Sequence, residues 1–123
     1  MDAIELSAKL NEFYGSETFT RYSPIYNNIT LTEGVVFLAE NAGAYWLMDM
    51  IGSYLPKLFK SRFGVAKLEV DLVESTATFT LDDGNDTVLV TQKIPYTDFP
   101  LSNIKLYVCD NGYMWTILLP QEY

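Results

Sequence analysis

Residues 31–55 read LTEGVVFLAENAGAYWLMDMIGSYL, and the fold turns on how this stretch is buried. Thr32 is a good N-cap, and Glu33 lies in the first turn, where the helix dipole favours a carboxylate. Val35, Leu38, Ala39 and Ala42 form one inner stripe. Asn41 and Gly43 mark a kink or a brief break. From Ala42 to Ile51 the helix is apolar almost all round, and such a helix is usually buried on every side. Its charge-free run, Asn41 to Met48, is far short of the roughly 20 apolar residues that span a bilayer, so it reads as a core helix. Pro56 ends it, because the residue before proline avoids the α region. Trp46, Leu47, Met50 and Ile51 are the expected core, packed on Leu68, Val70, Phe79, Leu106 and Trp115.

Upstream, Asp2 and Glu5 make a capping-box variant, and Ala3, Leu6, Leu10 and Phe13 recur at helical spacing. Residues 16–30 carry no strong period, although Thr18, Phe19, Thr20 and Tyr22 alternate weakly. Pro24 and Asn27-Asn28 punctuate this segment, and Tyr14, Tyr22 and Tyr26 make it rich in phenols. Downstream, the period changes from helical to alternating at Gly64. Ala66, Leu68, Val70 and Leu72 oppose Lys67, Glu69 and Asp71. Ala77, Phe79 and Leu81 alternate with threonines, and Asp82-Asp83-Gly84-Asn85-Asp86 reads as a hairpin loop. Val88 to Lys93, Ile104 to Val108 and Tyr113 to Leu119 alternate in turn, with Asp110-Asn111-Gly112 as another hairpin signal. The expected architecture is a single α+β domain over residues 1–123. Helices at about 3–14 and 33–55 pack on one face of an antiparallel meander of about five strands, residues 65–119. The other sheet face is threonine-rich and charged, so it faces water or a partner.

The chain has a net charge of −8, unevenly spread. Residues 1–63 hold seven acids against five bases, whereas residues 64–123 hold nine acids against three bases. That field repels nucleic-acid phosphates, so no direct nucleic-acid binding is expected, and a protein partner with a basic surface is favoured. The single cysteine, Cys109, fits a reducing compartment. With no secretory pattern at the start of the sequence, a cytoplasmic location is expected.

The absence of histidine removes histidine triads, most zinc sites and the commonest general base. Cys109 lacks the base that would activate it as a nucleophile. The Asp82–Asp86 loop offers hard oxygen ligands, but its spacing does not match an EF-hand, and Asp, Asn and Gly are turn residues in their own right. No metal and no cofactor are therefore expected. Asp49 is the one polar group among Trp46, Leu47, Met48, Met50 and Ile51, with Tyr45 one turn before it. It reads as a solvent-facing or hydrogen-bonded aspartate. A raised-pKa acid or base is the alternative.

Three blocks carry a resemblance. Thr32-Glu33-Gly34, Leu38-Ala39-Glu40 and Ala42-Gly43-Ala44-Tyr45-Trp46-Leu47 with Asp49 and Ile51 form the first. Pro95 to Leu101 (PYTDFPL) is the second, and Leu118 to Tyr123 (LLPQEY) is the third. Together they resemble a family of small uncharacterised bacterial and phage proteins. The resemblance implies a phage or mobile-element context and transfers no activity.

The expected function is that of a non-catalytic acidic interaction protein. It would bind a basic, nucleic-acid-handling host protein, for example as an anti-defence inhibitor of a CRISPR effector. The expected contact residues are Glu69, Asp71, Asp82, Asp83 and Asp86, with Tyr22 and Tyr26 beside them. The alternatives are a small enzyme using a buried Asp49 with a tyrosine, or a structural protein that self-associates through a sheet edge.

Overall fold

The computed structural model describes residues 1–15, 19–22 and 28–123. Among these, three α-helices and seven strands are formed: α1 Ala3–Leu10, β1 Phe19–Arg21, β2 Ile29–Thr32, α2 Glu33–Ala42, α3 Tyr45–Tyr54, β3 Phe63–Asp71, β4 Thr76–Asp82, β5 Val88–Ile94, β6 Asn103–Asp110 and β7 Trp115–Leu118. The architecture is α+β, with the helices in the N-terminal half. The sheet is mixed and seven-stranded, in the order β1-β2-β7-β6-β3-β4-β5, rather than a five-strand antiparallel meander.

Two causes account for that difference. First, β3, β4 and β5 do form a meander, but β6 returns to pair with β3 on its other side. Residues 95–102 make the crossing. Three strand spacings come to about 14 Å, and an eight-residue segment can reach roughly 25 Å. The crossing is pinned at both ends of its path: Thr97 donates its N–H to Ser75 O (2.8 Å), and Ser102 O accepts from Val70 N–H (2.8 Å). Second, β2 lies parallel to β7, with Ile29 beside Trp115 and Leu31 beside Ile117. This partner is remote in sequence, and β2 has only two apolar residues to announce it. β1 then adds antiparallel to β2, where the weak alternation of Phe19 and Thr20 had suggested an extended piece.

The long helical stretch is two helices. Gly43 adopts φ +60 and caps α2, a conformation glycine takes at little cost. α1 stops at Leu10, short of the expected end near residue 14. The remainder turns so that Phe13 meets Phe37 with ring centres 5.5 Å apart. Asp2 accepts from Glu5 N–H at 2.8 Å, as the capping pattern implies.

One face of the sheet is covered. Ile29, Leu31, Ala66, Leu68, Phe79, Leu81, Leu106, Val108 and Ile117 meet Leu6, Leu10, Val35, Leu38, Leu47, Met48 and Ile51 from the helices in one buried cluster. Leu47 and Ile51 are buried as expected, but Trp46 and Met50 are only half-buried, and Met48 takes the inner place. The break at Gly43 resets the helical phase, so a stripe drawn through both helices as one misassigns α3. Tyr54 closes the far side of the cluster, stacked on Phe79 and donating to Gln92 Oε1 at 2.5 Å.

Candidate functional site

The opposite face of the sheet carries no helix among the described residues. Strand alternation sends Lys67, Glu69 and Asp71 of β3, Asp82 of β4, Lys93 of β5 and Lys105 of β6 to this side. Three acids and three lysines therefore share the face, and Arg21 of β1 falls in the same phase through Thr30, Thr116 and Cys109, so the strands do not make this face acidic. Most of the excess acids of residues 64–123 lie elsewhere, at Glu74, Asp83, Asp98, Asp110 and Glu122, with Asp86 on the loop that borders one end of the face. The outer face is thus mixed in charge, while the negative field comes from the surroundings.

Its two ends differ. At the Asp71 end, Glu69, Asp71, Thr76, Thr78 and Ser102 border a shallow hollow of about 640 Å³. Asp71 is already engaged, accepting from the N–H groups of Val73 (3.1 Å) and Glu74 (3.0 Å). At the other end, Phe63, Tyr107 and Tyr123 form an edge-to-face triangle with ring centres 5.4 to 5.9 Å apart. The ammonium of Lys105 lies 5.7 Å from the centre of the Tyr107 ring, within cation–π range. Asp82 and Asp86 line the hollow of about 330 Å³ that this triangle borders, and Lys67 reaches Asp82 at 3.8 Å.

The structure therefore divides the expected contact residues. Glu69 and Asp71 lie at one end of the outer face, and Asp82 and Asp86 at the other. Asp83 is spent on its own loop, accepting from Asn85 N–H (2.8 Å) and Thr87 N–H (3.3 Å). Asp82 likewise accepts from Gly84 N–H at 2.8 Å. These bonds are what Asp does in turns. No cluster of three or more Asp, Glu or Cys side chains suited to a metal occurs among the described residues. Tyr22 lies on the helix side, away from the outer face, and Tyr26 lies outside the described residues.

Asp49 is exposed, which corrects the buried aspartate of the enzyme alternative. It does have a tyrosine partner: Tyr22 donates its hydroxyl to Asp49 Oδ1 at 2.6 Å and approaches Tyr45 O at 3.1 Å. The rings of Tyr22 and Tyr45 stack at 5.9 Å. Burial of the Tyr45 phenol, and the Glu40 carboxylate beside it, push that phenol above its ordinary range. Cys109 is half-buried on the outer side of β6, and burial pushes its thiol up, which lowers the thiolate fraction. Arg62 pairs with Asp110 across to β6. Hydrogen bonds from Gly112 N–H and from Arg62 hold the Asp110 carboxyl below its usual range.

Glu122, which the sequence reading passed over, is buried, as Asp82 is. Its oxygens accept from Thr32 Oγ1 (2.6 Å), Gly34 N–H (3.0 Å) and Leu119 N–H (3.0 Å). It thereby caps α2 from the other end of the sequence, where the helix dipole welcomes a negative group. Gly34 leaves room for this approach, since a Cβ there would come within 2.5 Å of Leu119 Cδ1 and 2.7 Å of Glu122 Oε1 and one of them would have to shift. The Thr32-Glu33-Gly34 block and the Leu118–Tyr123 block thus touch in the fold.

The family of unknown function DUF6876 matches residues 4–123, and the chain belongs to it. A solved structure of a protein of unknown function from Enterococcus faecalis has a similar fold, with a TM-score of 0.57 and 21% sequence identity. The alignment covers 86% of this chain and 98% of that one. No curated protein matches. No helix among the described residues is long and apolar enough to cross a membrane.

Proposed function

We propose that this protein is a non-catalytic binding module that docks on a protein with a basic surface through the uncovered face of its sheet. The observation that carries the reading is the asymmetry of that sheet. One face is sealed by helices, while the other presents threonines, paired charges and the Phe63–Tyr107–Tyr123 triangle. Aromatic residues with charged neighbours are what interface cores and rims use. The net charge of −8 would steer a basic partner towards it, while the mixed charges on the face would set register rather than attraction. The partner class is a nucleic-acid-handling host protein in the cytoplasm, and the role is inhibition of the anti-defence kind, in a phage or mobile-element setting. Charge and the family resemblance support those last steps.

The test is capture from host lysate with the native chain and with a Glu69→Lys/Thr91→Arg/Asn103→Arg variant. These three positions are exposed and spread over β3, β5 and β6. A stoichiometric basic protein held by the native chain and lost by the folded variant is the expected result. A chain that captures nothing and turns over a small molecule would overturn the reading. The Tyr22–Asp49 bond is the observation that favours such an enzyme, and substitution at Asp49 would then abolish the turnover.

A further inference from the structure

A third, smaller hollow lies away from the open face, between α3 and the crossing segment after β5. It measures about 210 Å³ and is lined by Trp46, Ile94, Tyr96, Thr97 and Asp98. The segment that supplies three of these residues is fixed. Thr97 is buried, with its N–H bonded to Ser75 O and its Oγ1 accepting from Phe99 N–H at 3.2 Å. Phe99 is sunk in the core at 2% exposure, and Pro95 and Pro100 restrict the backbone on either side. Tyr96 and Asp98 flank the inward Thr97, and both are exposed. Tyr96 keeps 72% of its surface in water.

A backbone anchored by hydrogen bonds and by buried Phe99 thus holds an exposed phenol ring and an exposed carboxylate beside a half-buried indole. Among the described residues, no ion pair uses Asp98, and none of the aromatic pairs includes Trp46 or Tyr96. No lysine or arginine lines the hollow. Two aromatic side chains and a carboxylate line it, and an aromatic π face and a carboxylate each attract a cation and repel an anion. The volume admits the head of one side chain rather than a folded surface. We infer that this hollow is a receptor for a single cationic side chain, arginine or lysine, projecting from a protein partner. The inference rests on the proposed binding role only for the source of the cation. The overall negative charge favours its approach.

The experiment needs no partner. The tripeptides acetyl-Gly-Arg-Gly-amide and acetyl-Gly-Lys-Gly-amide are titrated into the 15N-labelled protein while the Trp46 indole N–H resonance is followed, with Trp115 as reference. Acetyl-Gly-citrulline-Gly-amide is the neutral isostere, and choline is the free small cation. The expected result is a saturable shift at Trp46 alone with one or both cationic peptides, weakened roughly tenfold by citrulline, Tyr96→Leu or Asp98→Asn. Citrulline binding as well as arginine, or no shift through tens of millimolar peptide, would overturn the inference. Choline binding tighter than both cationic peptides would also overturn it, by assigning the hollow to a free cation. Each of these results stands whether or not the open sheet face captures a protein.

Discussion

Two carboxylates, Glu122 and Asp49, stand in contrasting regions and exchange the roles their sequence neighbours suggest. Asp49 lies in the most apolar stretch of the chain, yet it is exposed and shares one hydrogen bond with Tyr22. Glu122 lies in an ordinary polar ending, LLPQEY, yet it is buried and accepts from three donors. Apolar neighbours along a helix do not bury a residue whose angular position faces out. A carboxylate is buried where donors await it, and the start of α2 supplies unpaired N–H groups that need an acceptor. Structure is therefore invested in the Glu122 region, and the Asp49 region is left at the surface.

The largest expected effect is at Glu122. Glu122→Ala strands the Gly34 and Leu119 N–H groups away from water, and should lower unfolding stability by roughly 3 kcal/mol. Glu122→Gln keeps an acceptor oxygen but turns an amide N–H₂ towards donors, and should cost about half as much. Urea unfolding of both variants measures this. Losses below half a kilocalorie for both would erase the contrast with Asp49.

A third carboxylate sharpens the contrast through pH. The Asp110 carboxyl is held low by Gly112 N–H and Arg62. A depressed folded-state pKa gives stability that is present above the unfolded value, near 4, and is lost as pH falls through the folded one. Asp110→Asn should therefore be less stable than the native chain at pH 7 by at most about 1 kcal/mol, since Arg62 is largely exposed. The gap should close as the pH drops well below 4. A gap that stays constant from pH 7 to pH 2 would mean that charge plays no part.

What the sequence made legible follows the same logic. Local patterns revealed local structure: the alternation of Ala66, Leu68 and Val70, of Ala77, Phe79 and Leu81, and of Ile104, Leu106 and Val108 places inward residues correctly, whereas Leu72, expected in the first row, lies exposed beyond the end of β3. Pairings between distant segments left no local trace. β2 against β7 and Glu122 against Gly34 each join residues more than eighty positions apart. The crossing after β5 had a signal in its length, too long for a hairpin, which the short-turn reading overlooked. The mixed charge of the outer face was also present in the alternation, since Lys67, Lys93 and Lys105 fall in the same phase as Glu69, Asp71 and Asp82. Summing charge over half the chain hid it. Of the candidate surfaces, the Trp46 and PYTDFPL blocks were visible as blocks, but only the fold brings them to one hollow.

The smallest expected effect is at the Tyr22–Asp49 bond, and it decides whether that region is structural, catalytic or neither. Its oxygens are 2.6 Å apart, a length that in isolation suggests a strong bond. Exposure works against strength, because water competes for both groups in the unfolded and folded chain alike. Removing a solvent-exposed hydrogen bond should cost no more than about half a kilocalorie. The Tyr22–Tyr45 stack complicates single substitutions, since Tyr22→Phe retains the ring and Tyr22→Ala does not. The clean measurement is a double-mutant cycle of Tyr22→Phe and Asp49→Asn, in which the coupling reports the bond apart from the stacking. A coupling below about 0.5 kcal/mol would mark the bond as surface detail and widen the distance from Glu122. A coupling above about 1.5 kcal/mol would show a bond far stronger than exposure allows. Asp49 would then belong with Glu122 among the groups the fold is built to hold.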